Sequence, residues 1–246
     1  FDPPRPPEPL EEVSLPSADG LTLRAWLFTP GADANGRTAI VLHGVADTRL
    51  GALGYAHLLL RHGYRVLTPD SRGHGASEGV RLTYGIRERD DVLRWARAYG
   101  VTHGVGASMG ASILLQSIGE GTPFRAIVAE CPFDHFPNVA RDRIRGAIGW
   151  WPLPMVDGGL WYMRLRYGID YQQASPAAVF AHSQVPVFLI HGSADRNIPP
   201  DHSRRLHALK PAQPYWEISG AGHVQTAAIA GPELEQRVIA WFAAHP

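Results

Sequence analysis

The stretch Gly104–Gly110, which reads GVGASMG, follows an apolar run and opens a helix-like segment, and it decides the fold. Its glycines suit a loop that lies against the phosphates of a dinucleotide. Its serine, Ser108, stands in a G-x-S-x-G pattern, which is typical of a sharp strand-to-helix turn that exposes a nucleophile. The two interpretations imply different enzymes, so the rest of the chain has to distinguish them.

Short apolar runs that end in turn residues recur along the chain and predict strands. Helix-like patterns fill most of the gaps between them, and Asp19-Gly20 predicts a hairpin turn between the first two runs. This alternation predicts an α/β fold with a mostly parallel sheet of about eight strands, covered by helices on both faces, with the hairpin as an antiparallel edge. The predicted strands are 13–15, 21–28, 39–42, 65–68, 101–105, 126–129, 187–190 and 215–218.

Two segments depart from this alternation. Residues 1–12 begin with a proline-rich stretch and are expected to form an extended lead-in to a single α/β domain over residues 13–246. Residues 134–182 contain no clear strand and are predicted to be a helical lid or cap, because long insertions between strands are usually functional. The large aromatic residues of this insertion are Trp150, Trp151, Trp161, Tyr162, Tyr167 and Tyr171.

The composition excludes several classes of partner. Lys+Arg and Asp+Glu number 23 each, so charge gives no reason to expect nucleic acid or an anionic membrane surface. No apolar run approaches the length of a transmembrane helix. Cys131 is the single cysteine, which rules out an intramolecular disulfide. Because the sequence starts at Phe1 rather than Met, we expect a preceding segment to have been removed, which leaves a cytoplasmic and an exported or anchored location both open. The oligomeric state is open as well.

The nucleotide interpretation has one supporting residue, Glu130, which ends the next strand where a ribose ligand would stand. Three observations disfavour it. Dinucleotide loops normally follow the first strand of their domain, whereas several strand-like runs precede this one. The segment after Glu130 is the aromatic insertion rather than another strand-helix-strand unit. The interpretation also leaves Ser108, Asp195 and His223 without a role.

The serine interpretation requires a base, an orienting acid and donors for the oxyanion. The runs VPVFLIHGSADRNIPP and EISGAGHVQT each break into a loop, and these loops carry Asp195 and His223. The order Ser, Asp, His is the one found on α/β-hydrolase sheets. The early run AIVLHGVADTR offers the Val45 N–H as one oxyanion donor, and the Met109 N–H next to Ser108 offers the second.

Less specific roles compete for several of these positions. Asp195 also suits an ordinary turn, and Asp170 and Asp201 are reserve acids that fit solvated helix starts better. His43 is expected to brace the oxyanion loop rather than act as a base. The histidines are scattered without the spacing of metal ligands, so no metal site and no cofactor are expected.

Five segments in this order together resemble the α/β-hydrolase superfamily, in its single-domain serine esterase and acyl-peptidase-like group. They are VLHG, PDSRGHGASEG, GASMG, HGSADRNIP and GAGH, and the resemblance extends from about Leu21 to the C-terminus. It implies that the insertion carries the lid. Ala107 stands where a larger polar residue is commonest and Ala111 where many relatives have glycine, which affects pocket shape but removes no catalytic group.

These observations predict a serine hydrolase that cleaves small-molecule carboxylic esters with a short- to medium-chain apolar acyl or alkyl group. Ser108 would be the nucleophile, His223 the base and Asp195 its orienting acid, with an acyl-enzyme intermediate. Two alternatives stay open. The first is a peptidase, amidase or thioesterase on the same residues. The second is a non-catalytic receptor that uses the pocket for binding only.

Overall fold

The computed structural model describes residue 6 and the ranges 9–31, 33–149 and 153–246. Trp150 and Trp151 of the predicted lid lie outside the described residues, as does most of the proline-rich start. Within the described ranges, no helix combines the length and the apolar character needed to cross a bilayer.

Eight strands form one sheet in the order β1-β2-β4-β3-β5-β6-β7-β8. The first two strands are an antiparallel hairpin, β2 pairs antiparallel with β4, and every later pairing is parallel. This arrangement confirms the predicted fold class. The strands are β1 Leu10–Pro16, β2 Thr22–Phe28, β3 Thr38–Leu42, β4 Arg65–Pro69, β5 Val101–Ala107, β6 Ala126–Glu130, β7 Val187–Gly192 and β8 Tyr215–Ile218.

Helices cover both faces of the sheet. They are α1 Leu53–Arg61, α2 Glu88–Tyr99, α3 Met109–Gln116, α4 Phe136–Ile148, α5 Leu153–Tyr167, α6 Pro176–Phe180, α7 Asp201–Leu209 and α8 Thr226–Ala243, with a short 3-10 turn at Tyr171–Gln173. Helices α1 and α8 pack on one face, and α2, α3, α6 and α7 pack on the other.

Strand β6 shows why the central runs were easy to recognise. Ala126 and Val128 point into the core under α1 and α8, while Ile127 and Ala129 point into the core under α2 and α3. Successive side chains of a strand face opposite sides, so a strand covered on both sides needs apolar residues at every position. All five residues of β6 are buried, and the first four form the continuous apolar run in the sequence.

The predicted strand boundaries agree with the observed ones to within two residues except at β1. Strand β1 begins at Leu10, which pairs with Phe28, so residues 10–12 belong to the sheet and not to the lead-in. Glu11 and Glu12 are consecutive and both exposed, so the alternation of apolar and polar residues that indicates a strand is absent there. Helix α8 begins at Thr226 and is kinked at Ala230, two residues before Pro232.

The predicted insertion, residues 134–182, is helical wherever it is described. Helices α4 and α5 carry many exposed side chains, whereas α6 places Phe180 in the core beneath α3. The last part of the segment is therefore a structural layer of the domain. Residues of α4 lie beside Ser108 at the carboxyl end of β5, and α5 packs against α4.

Candidate active site

Ser108 occupies the turn between β5 and α3 with φ 55° and ψ −117°. This left-handed backbone is strained for any residue other than glycine and is characteristic of functional sites. Neighbouring glycines let other backbone approach the turn. A Cβ on Gly106 would lie 2.5 Å from the nitrogen of Ala111, and one on Gly110 would lie 2.4 Å from the carbonyl oxygen of Leu42. Both positions therefore require glycine for space.

His223 connects the serine to an acid. Its Nε2 lies 2.9 Å from the Ser108 hydroxyl oxygen, and its Nδ1 lies 2.7 Å from Oδ2 of Asp195. A carboxylate accepts hydrogen bonds, so Nδ1 carries the proton and Nε2 is left to accept from the hydroxyl. Both distances fall within the range required for proton transfer. The structure thus brings the three sequence-predicted residues together in one hydrogen-bonded chain.

The carboxylate of Asp195 is buried and held at both oxygens. Oδ1 accepts from the backbone N–H groups of Asn197, at 2.8 Å, and Ile198, at 3.0 Å. Oδ2 faces His223 and lies 3.4 Å from the Nε2 of His191. Burial raises the pKa of Asp195, but hydrogen bonds from His191 and His223 outweigh burial and hold the pKa well below its usual range. The group is ionised at neutral pH.

His191 stabilises the loop that carries Asp195 through hydrogen bonds to that loop and to α7. Its Nε2 lies 2.9 Å from the carbonyl oxygen of Ile198, and its Nδ1 lies 2.6 Å from the hydroxyl of Ser203 on α7. Its spacing of four residues from Asp195, at the end of a buried strand, was the available signal for a supporting role.

Val45 and Met109, the predicted oxyanion donors, line the same cavity as Ser108. The preceding Gly44 lies against the serine, since a Cβ there would be 3.5 Å from the Ser108 Cβ. Met109 is the first residue of α3, and N–H groups of a first helical turn have no acceptor within the helix. Among the described residues, none accepts a hydrogen bond from the Val45 N–H.

His43 holds this loop in place, as expected. The backbone N–H of Ser71 donates to its Nε2 at 3.0 Å, so Nδ1 carries the proton and donates to the Gly44 carbonyl at 2.7 Å. Burial lowers the pKa of His43. A neutral ring with both nitrogens engaged is a brace and not a base.

Glu130 has a role that the sequence did not predict. Its buried carboxylate accepts hydrogen bonds from the Tyr55 hydroxyl, at 2.9 Å, and from the hydroxyl of Thr226. Thr226 begins α8 three residues after His223, so Glu130 fastens the histidine loop to the sheet. A carboxylate occupied in this way, at the end of the sixth strand, is not a ribose ligand, and the nucleotide interpretation of the glycine loop is set aside.

The two reserve acids lie apart from the histidine. Asp170 caps the short 3-10 turn by accepting from the Gln172 N–H at 3.1 Å. Asp201 begins α7 and accepts from Arg204 at 2.8 Å. Asp195 is therefore the acid that contacts His223.

A cavity of about 400 Å³ opens over Ser108. Tyr84 and Phe136, whose stacked rings have centroids 4.1 Å apart, form part of its wall. Among the described residues that line it, Arg143 is the one charged side chain. The lining residues are Val45, Ala46, Tyr84, Ser108, Met109, Phe133, Phe136, Val139, Ala140, Arg143 and Ile198.

Sequence reasoning missed the aromatic wall of this cavity. It drew attention to the Trp and Tyr residues of the insertion, but Trp161 and Tyr162 are 64% and 54% exposed on α5. Phe133 and Phe136 follow directly after β6, and this position beside the strand end was the signal available for them. Tyr171 does contribute indirectly, because its ring packs on Phe136 at 4.9 Å.

One group of potential metal ligands lies within the site. Cys131, Asp195 and His223 each offer a ligand atom, and the three atoms lie within 4.8 Å of one another. Burial raises the pKa of the Cys131 thiol well above its usual value. Asp195 and His223 are already joined to each other by a hydrogen bond of 2.7 Å. The cluster therefore fits a packed cysteine behind the histidine better than a metal centre.

Comparison with known families gives one match that spans most of the chain. The model of the family described as "Alpha/beta hydrolase family" matches residues 39–232. This range contains the Ser108 turn and the loops that carry Asp195 and His223.

Individual proteins are similar to this chain in sequence or in fold. The chain is 33% identical over 210 residues to uncharacterized protein YqkD of Bacillus subtilis, covering 80% of this chain and 67% of that protein. Its fold is similar to that of esterase Pf2001 of Pyrococcus furiosus, with a TM-score of 0.76, 22% identity and coverage of 100% and 99% of the two chains. It is also similar to alpha/beta hydrolase GrgF of Penicillium, with a TM-score of 0.74, 18% identity and coverage of 96% and 99%. At these identities the two structures bear on the fold alone.

Proposed function

This chain belongs to the alpha/beta hydrolase family, and on that premise we propose that it is a serine hydrolase that cleaves carboxylic esters. The observation that carries the proposal is the unbroken hydrogen-bond chain from the Ser108 hydroxyl through His223 to the buried Asp195. A strained serine hydroxyl bonded to an imidazole, itself oriented by a carboxylate, is the arrangement that activates serine as a nucleophile.

The proposed reaction has two stages. Ser108 Oγ attacks the ester carbonyl carbon while its proton passes to Nε2 of His223, and Asp195 stabilises the resulting imidazolium. The tetrahedral intermediate collapses as the C–O bond to the alcohol breaks, and His223 returns the proton to that oxygen. Water then attacks the acyl-enzyme with His223 as base, which releases the acid and restores the Ser108 hydroxyl.

The backbone N–H groups of Val45 and Met109 are the proposed donors to the oxyanion. Both line the cavity at Ser108, and the Met109 N–H begins α3, where the helix dipole favours negative charge. Donors fixed in place before the reaction stabilise the developing charge without reorganisation.

The cavity supports an apolar acyl group of short to medium length. Its wall is aromatic and aliphatic, and its volume is about 400 Å³. Helix α4 supplies part of that wall through Phe136 and Val139. We therefore propose that α4 and α5 act as the lid of a hydrolase domain that spans residues 13–246.

The decisive experiment replaces the nucleophile. With p-nitrophenyl acyl esters as substrates, Ser108→Ala should lower kcat by about 10⁶-fold, and a fluorophosphonate probe should label the wild-type protein only. Thermal unfolding should be unchanged, because the substitution removes one oxygen atom. Ser14→Ala, at an exposed position of β1, is the matched control and should retain full activity.

Other outcomes would reassign the function. Turnover that persists in Ser108→Ala would remove the nucleophile assignment. A matched acyl anilide or thioester cleaved faster than the ester would indicate an amidase or a thioesterase. Failure of the probe to label the folded wild-type protein would indicate a receptor that keeps the fold without the reaction.

A further inference from the structure

Arg143, on α4, lies where two cavities meet. It lines the cavity at Ser108 and also a second cavity of about 790 Å³ between α4 and the loop that follows Asp195. Arg196, the next residue of that loop, lines the second cavity as well. From this arrangement we infer that the preferred substrates carry a phosphate or carboxylate group in their alcohol portion, bound by Arg143 and Arg196.

The inference rests on the charges that remain after pairing. Of the acids that line the second cavity, Asp142 lies 3.2 Å from Nε2 of His202, Asp201 accepts from Arg204, and Asp195 is bound by His223. Each of these carboxylates already has a cationic or histidine partner.

The arginines are not matched in the same way. Arg205 is paired with Asp134 at 2.6 Å, and Arg145, which also lines this cavity, lies 3.9 Å from Asp142. Arg143 and Arg196 form no hydrogen bond or ion pair with any of the described residues, and both are exposed to solvent. The second cavity thus presents two uncompensated guanidinium groups to whatever enters it. Guanidinium binds phosphate and carboxylate through paired N–H donors, which makes these anions its natural ligands.

The position of the histidine decides which half of the ester lies there. His223 must return its proton to the leaving oxygen, so the alcohol portion leaves on the side of His223 and Asp195. Arg196 directly follows Asp195 and lines the cavity on that side. The acyl chain fits the other direction, against Phe133 and Phe136, where the wall is apolar.

The inference depends on the proposed esterase function, and its test compares three esters with one acyl group. They are 1-hexanoylglycerol, 1-hexanoylglycerol 3-phosphate and the hexanoyl ester of glyceric acid. The wild-type protein should cleave at least one anionic ester with a kcat/KM about tenfold above that of the neutral ester, as expected of a charge-assisted contact at a partly exposed site. The preference should fall as ionic strength rises.

Single substitutions assign the effect. Arg143→Gln should reduce the ratio of anionic to neutral kcat/KM by about tenfold, and Arg196→Gln should reduce it less or equally. Arg141→Gln is the matched control, because Arg141 lies on the same helix but is paired with Asp157 of α5. It should leave the ratio unchanged.

The outcomes separate the two claims. Preference for the phosphate ester alone identifies a phosphate monoester, and preference for both anions identifies a general anion site; both support the inference. Ser108-dependent cleavage of all three esters without preference, or a preference that survives both substitutions, would overturn it while leaving the proposed function intact. Cleavage of none of them would overturn the inference, and turnover of the p-nitrophenyl esters decides separately whether the proposed function stands.

Discussion

The turn around Ser108 and helix α5 are both rich in glycine, but their glycines have opposite surroundings. A Cβ on Gly106 or Gly110 would strike backbone atoms within 2.6 Å, whereas one on Gly158 or Gly159 would meet nothing within 4 Å. In the turn, glycine is required by close packing of β3, β5 and α3. In α5 it only loosens a helix that lies on the surface.

Burial follows the same division. Ser108 is 4% exposed, while Met155, Trp161 and Leu165 of α5 are at least 64% exposed. The proposed nucleophile thus lies in a closely packed part of the chain, whereas the proposed lid includes a helix with many exposed side chains. Four substitutions test this contrast, given from the largest expected effect to the smallest.

Asp195→Asn probes the rigid end of the contrast through charge alone. An amide of the same size removes the negative charge and favours the wrong tautomer of His223, so kcat should fall by about 10⁴-fold. The measurement is steady-state kinetics with a p-nitrophenyl ester, accompanied by thermal unfolding. Near wild-type activity would move the orienting acid elsewhere, and Asp201→Asn is the control that should stay active.

Gly110→Ala probes the same region through volume. The added methyl group would lie 2.4 Å from the carbonyl oxygen of Leu42 and 2.7 Å from that of His43, and both are backbone atoms that cannot rotate away as a side chain can. Overpacking of this kind should lower the free energy of unfolding by about 3 kcal/mol. Urea unfolding measures it. A stable and active variant would show that β3 and α3 can separate.

Asp134→Asn probes the contact that ties the start of α4 to α7. Asp134 precedes α4 and binds His202 and Arg205 of α7. Burial raises the pKa of Asp134, but these two partners outweigh burial and hold the pKa well below its ordinary value near 4. Its stabilising effect is therefore fully present above about pH 4 and is lost as pH falls below that value through the lowered pKa.

The variant should be less stable than the wild-type protein by about 2 kcal/mol at pH 7, because a buried pair loses one charge. The difference should shrink as the pH falls below 4. Urea unfolding at several pH values measures both. Asp157→Asn, which removes an exposed partner of Arg141, serves as control and should cost less than about 1 kcal/mol. A difference for Asp134→Asn that does not change with pH would exclude the charge as its cause.

Gly158→Ala probes the loose end and should have the smallest effect. Alanine favours a helix interior over glycine by about 0.5–1 kcal/mol, and there is open space for its methyl group. The free energy of unfolding should rise by that amount, with ester kinetics unchanged. A destabilised variant would mean that α5 packs against something at Gly158, and the contrast with Gly110 would fail.

The sequence predicted the structure best where burial or backbone geometry restricts a position to one kind of residue. Strands such as β6 were predictable because burial on both faces requires an unbroken apolar run. The candidate residues Ser108, Asp195 and His223 were predictable because each stands in a short pattern at a strand end. Which side chains line the cavity was not predictable, because that depends on the angle at which α4 crosses the strand ends.

Arginine in α4 illustrates this limit. Arg141, Arg143 and Arg145 alternate within one helix, and the sequence gives no reason to choose among them. The structure places Arg143 at the cavity and Arg141 against Asp157 of α5. The role of Glu130 was not predictable for a related reason, since its hydrogen-bond partners Tyr55 and Thr226 lie 75 and 96 residues away along the chain.

The anchoring of Asp195 has a consequence for how such a protein can diverge. One carboxylate oxygen is held by the main-chain N–H groups of Asn197 and Ile198, which any residue except proline can supply. The side chains at positions 196 and 197 are exposed, and they do not determine the orientation of His223. Mutations there can change which substrates the second cavity binds while the hydrogen bonds among Ser108, His223 and Asp195 are kept. New substrate preferences can therefore arise by neutral drift in this loop without an intermediate variant that has lost turnover.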